Sequence, residues 1–324
     1  CVCKSVTVEA LPADGKGSRT LEKKETDEVP EAPPVAPASA SRMRWTRKLH
    51  EGKKKPSPKE VNAWIADPRR VKSGLVWASE LGSPECFEAA RKAAFDVELC
   101  KRKGVKELTL LALYNTDREK ARPELLKIAA DRECRTGWRY DEKNPAMAGG
   151  HWMSGACIIG VMAAESGWKE FTPALVAALD SKYCGDRNRM SILRSLTRLA
   201  EPGDKPVTAA VRKSLAMTFP YMLTEAAELA GVVSDRESIP RLRELLDHPF
   251  LVVRARAAVA LGRLGDTASA PKLRESLLHI RKPEALDHTK YHMRIWQDEN
   301  MRAAAARGLG EMRDAASRAA LAAA

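Results

Sequence analysis

Two histidines, His288 and His292, have a spacing that metal sites use. Residues four apart lie on one face of a helix, and two imidazoles on one face are part of the ligand set of a zinc or iron site. Glu284 and Asp287 lie nearby as third ligands, although acidic residues are common in such segments. The alternative is that the histidines are two polar residues of a connecting segment, and we expect no metal site here.

Catalytic motifs are missing from the rest of the chain. The sequence holds no nucleophile elbow, no phosphate-binding glycine loop, and no cysteine with a histidine partner that the sequence could place. We therefore expect no catalytic residue, no cofactor and no enzyme activity.

Aromatic residues and histidines are concentrated in two segments, 132–152 and 279–296. Tryptophan, tyrosine and arginine supply most of the binding energy at protein interfaces, so these segments are predicted to contact a partner. The alternative is that the rings pack back onto neighbouring helix ends. The predicted partner-binding residues are Trp138, Tyr140, His151, Trp152, Tyr291 and Trp296, with Trp45 from the amino-terminal tail.

A sequence motif that is repeated after 31 residues predicts the helices that lie between these two segments. Residues 226–246 and 257–277 share ten of 21 positions, among them the pairs Gly231/Gly262 and Asp235/Asp266. Weaker copies extend upstream and downstream, and segments 132–152 and 279–296 interrupt their rhythm as insertions. A fixed period of this length is typical of stacked repeats rather than of one closed core.

Each unit reads as two helices joined by a short turn. The first helix carries small and apolar residues at helical spacing, with a glycine where neighbouring backbones approach, and the second starts around a proline. Ser57 with Glu60 and Ser234 with Glu237 predict capping boxes. Pattern and length resemble HEAT-like repeats of the short bacterial type, also found in phycobilin lyases. The resemblance covers about residues 106–324 and implies an all-α solenoid of stacked helix pairs. We place this solenoid at 57–324, after an extended, largely irregular tail.

Cys134 and Cys184 each follow the second helix of neighbouring units. They should therefore lie on the same rim of the solenoid, which makes them the first candidate for a disulfide in an oxidising compartment. Free, buried thiols are the alternative. Cys157 sits inside an apolar helix and is predicted to be a small core residue.

The first 56 residues are predicted to be a tether. They are polar and rich in proline, alanine and lysine, with little apolar surface to bury. A chain that begins with cysteine resembles a mature bacterial lipoprotein, which implies a covalent lipid on Cys1, a periplasmic position in the cell envelope, and the outer membrane because Val2 is not aspartate. An arbitrary first residue is the alternative.

The net charge of +12 is uneven, because residues 42–59 hold eight basic residues and one acidic residue. This basic stretch could meet anionic lipids or an acidic partner, or be a solvated hinge. Its predicted patch consists of Arg42, Arg44, Arg47, Lys48, Lys53, Lys54 and Lys55.

The favoured function is a non-enzymatic scaffold for protein–protein interactions, a lipid-tethered accessory subunit whose partners are other envelope or membrane-complex proteins. One alternative is a basic nucleic-acid binder or a relative of HEAT-like glycosylases. Arg254, Arg256, Arg263 and Arg274 support it, but interleaved acidic residues make nucleic acid an unfavoured partner. Another is a bilin-lyase-like accessory role, which rests on analogy of fold.

Overall fold

The structure is a computed structural model that describes residues 55–100, 102, 104–130, 155–180, 184–278 and 288–323; at 97, 288–299 and 323 the description covers the backbone alone. These residues belong to one compact unit, Ala38–Ala324. They form helices and contain no strand.

Helix α1 (Pro58–Ala66) precedes seven pairs, each made of a first helix and a second helix. The pairs are α2 (Val71–Leu81) and α3 (Phe87–Ala94), α5 (Val105–Thr116) and α6 (Arg118–Ala130), α7 (Gly155–Ser166) and α8 (Thr172–Leu179), α9 (Asp186–Leu199) and α10 (Lys205–Leu215), α11 (Pro220–Val232) and α12 (Ile239–Leu245), α13 (Leu251–Arg263) and α14 (Ala270–Leu278), and α15 (His288–Met312) and α16 (Arg318–Ala323). The short α4 (Val97–Cys100) connects the first two pairs.

The helices stack in two layers, as the predicted all-α solenoid of helix pairs requires. First helices pack side by side along the array, and each second helix packs against the first helix of the next unit. The core lies between the layers, where Ala257, Ala260 and Leu261 of α13 and Leu273 of α14 are fully buried. No helix pair could bury these stripes alone, so the units depend on their neighbours.

An arginine, an aspartate and a serine recur at the junctions between units, in a set that we call the Arg-Asp-Ser ladder. The three sets are Arg212, Asp235 and Ser238; Arg243, Asp266 and Ser269; and Arg274, Asp314 and Ser317. In each set the arginine of one unit's second helix donates to an aspartate in the next unit's turn, and the serine hydroxyl donates to the same carboxylate. The ladder therefore joins consecutive units by charged hydrogen bonds.

Two ladder carboxylates, Asp235 and Asp266, are buried and Asp314 is partly buried, while their arginines reach solvent. The side chain of Asp266 is 5% exposed and that of Arg243 is 46% exposed. Hydrogen bonds from Arg243 hold the pKa of Asp266 below its usual range, although burial opposes the shift. Burial alone would raise the pKa of Asp235, yet the bonds from Arg212 and Ser238 lower it. Each buried charge is thus satisfied by its neighbours, as burial of a carboxylate demands.

The turn from first to second helix needs a residue in the left-handed region. Gly203, Ser234, Gly265 and Arg313 occupy this position with φ values of 84°, 59°, 69° and 53°. The predicted capping box of Ser234 with Glu237 is therefore wrong, because Ser234 ends the first helix instead of starting the second. The capping box at Ser57 is confirmed: the Ser57 backbone N–H donates to Glu60 Oε2 at 2.8 Å, and the Glu60 N–H donates back to the Ser57 hydroxyl.

The closest backbone approach joins α13 to α15. A Cβ on Gly262 would lie 2.7 Å from the Cα of Gly308, and one on Gly308 would lie 2.6 Å from the carbonyl oxygen of Ala258. Gly310, which the repeat aligns with Gly262, faces open space. The long α15 also begins at His288, so the second half of the 279–296 insertion continues the first helix of its unit.

Cys184 is buried, with 2% of its surface exposed, and is a free thiol beside the equally buried Cys157. Burial raises the pKa of the Cys184 thiol to about 12, and the nearby Cys157 adds to the shift. Cys157 donates to the backbone oxygen of Asn188 at 3.2 Å and is a core residue, as predicted. Cys134 lies outside the described residues, so its pairing with Cys184 stays a prediction.

Replacing Gly262 by alanine should separate α13 from α15, because a new methyl group meets backbone that has no rotamer to give way. We expect a loss of about 2 kcal/mol or more in the free energy of unfolding, measured by urea denaturation. Gly310→Ala is the matched control and should be neutral or stabilising by up to about 1 kcal/mol, because alanine favours helix. Equal effects of the two changes would contradict the close approach.

Native Cys184 should resist alkylation, because the thiolate is the reactive species and a pKa of about 12 leaves little of it at pH 8. With iodoacetamide at pH 8 and peptide mass spectrometry, we expect Cys184 to react much faster in denaturant than in the native protein. Cys100, which is partly exposed, provides the internal comparison. Rapid native labelling of Cys184 would show that its site opens.

Candidate interaction surface

The helix pairs create two different edges. At the turn edge, each first helix turns into its own second helix through a short turn. At the linker edge, each second helix connects to the first helix of the next unit. The helix ends that flank segments 131–154 and 279–287 belong to the linker edge, because the first segment follows α6 and precedes α7, and the second follows α14 and precedes α15.

The exposed large hydrophobic side chains of the described residues all belong to the linker edge. They are Phe95, Tyr221, Phe250, Val252 and Leu278. Phe95 follows a second helix and Leu278 ends one, whereas Phe250 precedes α13 and the other two lie in the first turns of α11 and α13. Scattered exposed apolar residues need no explanation, but grouping at one edge indicates a contact surface.

Tyr221 and Phe250 both lie on this edge, at the starts of the adjacent first helices α11 and α13. Tyr221 is 54% exposed and Phe250 is 50% exposed. Each ring has a neighbouring ring. The ring centroids of Phe219 and Tyr221 are 5.7 Å apart, and those of His248 and Phe250 are 5.8 Å apart. The rings are thus positioned by neighbours although half of each surface remains open to solvent.

Arginines continue this surface along the solvent face of the first helices. Arg194 of α9 and Arg256 of α13 stand 31 residues on either side of Glu225. Arg194 Nε donates to Glu225 Oε1 at 3.1 Å, and Arg256 Nη1 lies 2.7 Å from Glu228 Oε2. The Arg194 side chain is 63% exposed and that of Glu225 is 11% exposed. The carboxylates therefore lie beneath and the guanidinium groups form the outer layer.

Arg187 and Arg198 add positive charge on α9. Both are exposed, and neither has an ion pair among the described residues. They share a helix face with Arg194, from which they are seven and four residues away. Together these residues form the Tyr221 patch, defined as Tyr221, Phe250, Val252, Arg187, Arg194, Arg198 and Arg256.

The Tyr221 patch begins at α9. The position equivalent to Arg194 in the preceding first helix is Ile158, which is fully buried. Helix α7 is apolar on all sides over most of its length, and such a helix is expected in an interior rather than on a surface. The polar, arginine-bearing stripe is therefore a property of the carboxy-terminal half of the array.

The second-helix layer has a different surface, in which ion pairs balance the charges. The pairs are Arg122–Glu170, Lys213–Asp180, Arg241–Glu244 and Lys272–Asp247, and most of these side chains are more than 40% exposed. Exposed pairs of this kind contribute little to stability, but they leave little unbalanced charge for a ligand.

Two ionisable groups with raised pKa values lie on α5, the partly buried Glu107 and the buried Tyr114. Burial raises the pKa of Glu107, which the positive charges of Lys106 and Lys72 partly offset. Burial also raises the pKa of Tyr114, whose hydroxyl lies 2.8 Å from that of Ser166. Seven residues of helix separate the two groups by roughly 10 Å, so they do not form an acid–base pair.

Most of the lipid-attachment, disulfide, partner-binding and basic-patch residues predicted from the sequence lie outside the described residues. These are Cys1, Trp45, Cys134, Trp138, Tyr140, His151, Trp152 and the basic residues Arg42, Arg44, Arg47, Lys48, Lys53 and Lys54. Lys55 is described and exposed. Helix α15 contains four more of the predicted residues, for which the structure describes the backbone alone: His288, Tyr291, His292 and Trp296.

The sequence did not single out Tyr221 and Phe250, although a signal was present. Phe219 and Phe250 occupy the same position of the 31-residue period, and Tyr221 occupies the position of Val252. A large apolar residue that recurs just where a surface helix begins is a feature that the period alone could have shown.

Within the part of the chain that the structure describes, no helix is both long and apolar enough to cross a membrane. Nor do three histidine, cysteine or acidic side chains come together there in a way that could hold a metal ion.

Comparison with known proteins agrees with the fold. Residues 208–289 match the model of the HEAT repeats family, which covers the helices from α10 to α14 and most of the Tyr221 patch. No curated protein matches the chain. The matched segment contains two rungs of the Arg-Asp-Ser ladder, and the helix pairs on either side repeat its construction. The chain is therefore similar to HEAT repeats over residues 208–289, within an all-helical array of helix pairs.

Proposed function

We propose that this protein is a non-enzymatic scaffold for protein–protein interactions, and that it binds a partner through the Tyr221 patch. The observation that carries the proposal is the occurrence of exposed aromatic side chains and exposed arginines on the first helices, where Arg187 and Arg198 have no ion pair among the described residues. Tyrosine and arginine are enriched among the residues that supply most binding energy. HEAT repeats, in general, present extended surfaces to partners.

The carboxylates with lowered pKa values support a scaffold more than an enzyme. Asp235, Asp266 and Asp314 belong to the Arg-Asp-Ser ladder, and each is saturated by an arginine and a serine. Ionisable groups in a catalytic site must be free to exchange protons with a substrate. These groups stabilise the stacking of units instead.

Nucleic acid is the less favoured partner. A surface that binds phosphates needs closely spaced cations, whereas Glu225 and Glu228 are interleaved with the arginines of the Tyr221 patch. The exposed rings of Tyr221 and Phe250 fit the apolar centre of a protein interface. A bilin-lyase-like accessory role rests on the resemblance of the repeats alone.

The lipid on Cys1, the envelope location and membership of a larger membrane complex stay predictions, since the tail lies outside the described residues. They are compatible with the scaffold role, because a tethered array would present the Tyr221 patch at a distance from its anchor.

A photo-crosslinking amino acid at position 221 should capture a discrete protein partner in intact cells, because this position lies at the centre of the proposed surface. The same amino acid at position 268, which is exposed on the turn edge, is the matched control. We expect specific bands, identified by mass spectrometry, from position 221 and none from position 268. Equal capture at both positions, or capture at 268 alone, would refute the proposed surface.

A further inference from the structure

We propose that the segment bound by the Tyr221 patch is acidic and amphipathic, with carboxylates that meet the arginines and apolar side chains that cover Tyr221, Phe250 and Val252. This inference rests on the proposed scaffold function and names the chemistry of its partner.

The layering of charge selects a negative ligand. Glu225 and Glu228 lie beneath the surface, where Arg194 and Arg256 already use them. Arginine carries five N–H donors, and Arg194 spends those on Nε and Nη2 on Glu225. The remaining N–H groups of Arg194 point away from the Glu225 carboxylate, and they can donate to the carboxylate of a ligand. Arg187 and Arg198 have no ion pair among the described residues, so the outer surface carries net positive charge.

The apolar part selects an amphipathic ligand rather than a purely acidic one. Tyr221, Phe250 and Val252 are exposed at the starts of α11 and α13, and Arg256 follows Val252 by one helical turn. A partner that presents both an apolar stripe and neighbouring carboxylates would cover both halves. Such a stripe is what amphipathic helices offer when they bind in grooves.

The dimensions fit a single segment better than a globular domain. Arg187 to Arg198 spans roughly 16 Å along α9, since a helix rises about 1.5 Å per residue. Three adjacent first helices span roughly 20 Å, since packed helix axes lie about 8–10 Å apart. A helix of three to four turns covers this area.

An anionic membrane and a nucleic acid share the negative charge but fit less well. Phosphate backbones do not use an apolar strip, and Glu225 and Glu228 would repel them. Membrane surfaces favour lysine and arginine clusters without such interleaved carboxylates. Both ligands are included as outcomes of the test.

The test uses the full chain and a fluorescein-labelled helical peptide of about 18 residues built from Glu, Leu and Ala, with the Leu residues at i, i+3, i+4 and i+7. Three comparison probes are the same peptide with Lys for every Glu, the same peptide with Ser for every Leu, and a 20-base-pair DNA duplex. Vesicles with phosphatidylglycerol form the membrane arm. Binding is followed by fluorescence anisotropy and, for vesicles, by sedimentation.

Two variants within the Tyr221 patch, each with a matched control outside it, locate the binding. Arg187→Glu combined with Arg198→Glu reverses two arginines that lack ion pairs, and Arg236→Glu combined with Arg318→Glu makes the same charge change at exposed positions outside the patch. Tyr221→Ala removes the central ring, and Phe95→Ala removes an exposed ring at the other end of the array. Circular dichroism of all four variants shows whether the fold is retained.

We expect the acidic amphipathic peptide to bind most tightly, with an affinity that falls as salt is added. The Arg187/Arg198 reversal and Tyr221→Ala should each weaken binding by roughly ten-fold or more, while both controls change it by less than about two-fold. Tighter binding of the Lys peptide, the DNA or the vesicles would overturn the inference, and so would equal effects of patch and control variants. If no probe binds but position 221 still crosslinks a protein, the acidic partner is refuted and the scaffold function survives.

Discussion

The stacking of the last four units depends on one interaction, the charged hydrogen bonds between an arginine of one unit and an aspartate in the turn of the next. Asp235 and Asp266 are almost fully buried, and a buried carboxylate without a partner would cost several kcal/mol. The aspartate therefore fixes where the preceding second helix must lie. Because the same residues recur every 31 positions between α10 and α14, each junction repeats the geometry of the previous one.

This repetition has a consequence for function. Units that stack in a constant register place equivalent residues in rows across adjacent first helices. Arg194 therefore pairs with Glu225, 31 residues later in the chain. Arg256, a further 31 residues on, pairs with Glu228 on the same helix as Glu225. Glycine allows the same layer to close up, most tightly where Gly262 meets Gly308. The turn edge is occupied by the Arg-Asp-Ser ladder, which leaves the linker edge and the first-helix face to vary. The Tyr221 patch includes residues of both the linker edge and the first-helix face.

The fold could be predicted from the sequence because the repeated phrase records it directly. Alternating helices, the turn aspartates and the positions of the insertions all follow from the period.

The partners of the aspartates could not be predicted, because pairing Arg243 with Asp266 requires knowing that a second helix lies against the next turn. Gly310 aligned with Gly262, yet Gly308 makes the close approach, since helix contacts depend on rotation as well as on alignment. Ser234 satisfied a capping rule in sequence but lies in a left-handed turn. The patch was missed because its residues come from three helices and form no motif.

The most direct measurement of this account is the stability of Asp266→Asn against Asp247→Asn, by urea unfolding at pH 7 and at acid pH. Asp266 is buried and ladder-bound, whereas Asp247 pairs with Lys272 in an exposed position. Because the folded pKa of Asp266 is lowered, its charge stabilises the fold above the ordinary aspartate value near 4, and this contribution is lost as pH falls through the folded pKa. We predict a loss of about 2 kcal/mol for Asp266→Asn at pH 7, shrinking in acid, and of less than about 1 kcal/mol for Asp247→Asn. Equal losses, or a loss at Asp266 that does not change with pH, would contradict the claim that the ladder holds the units together.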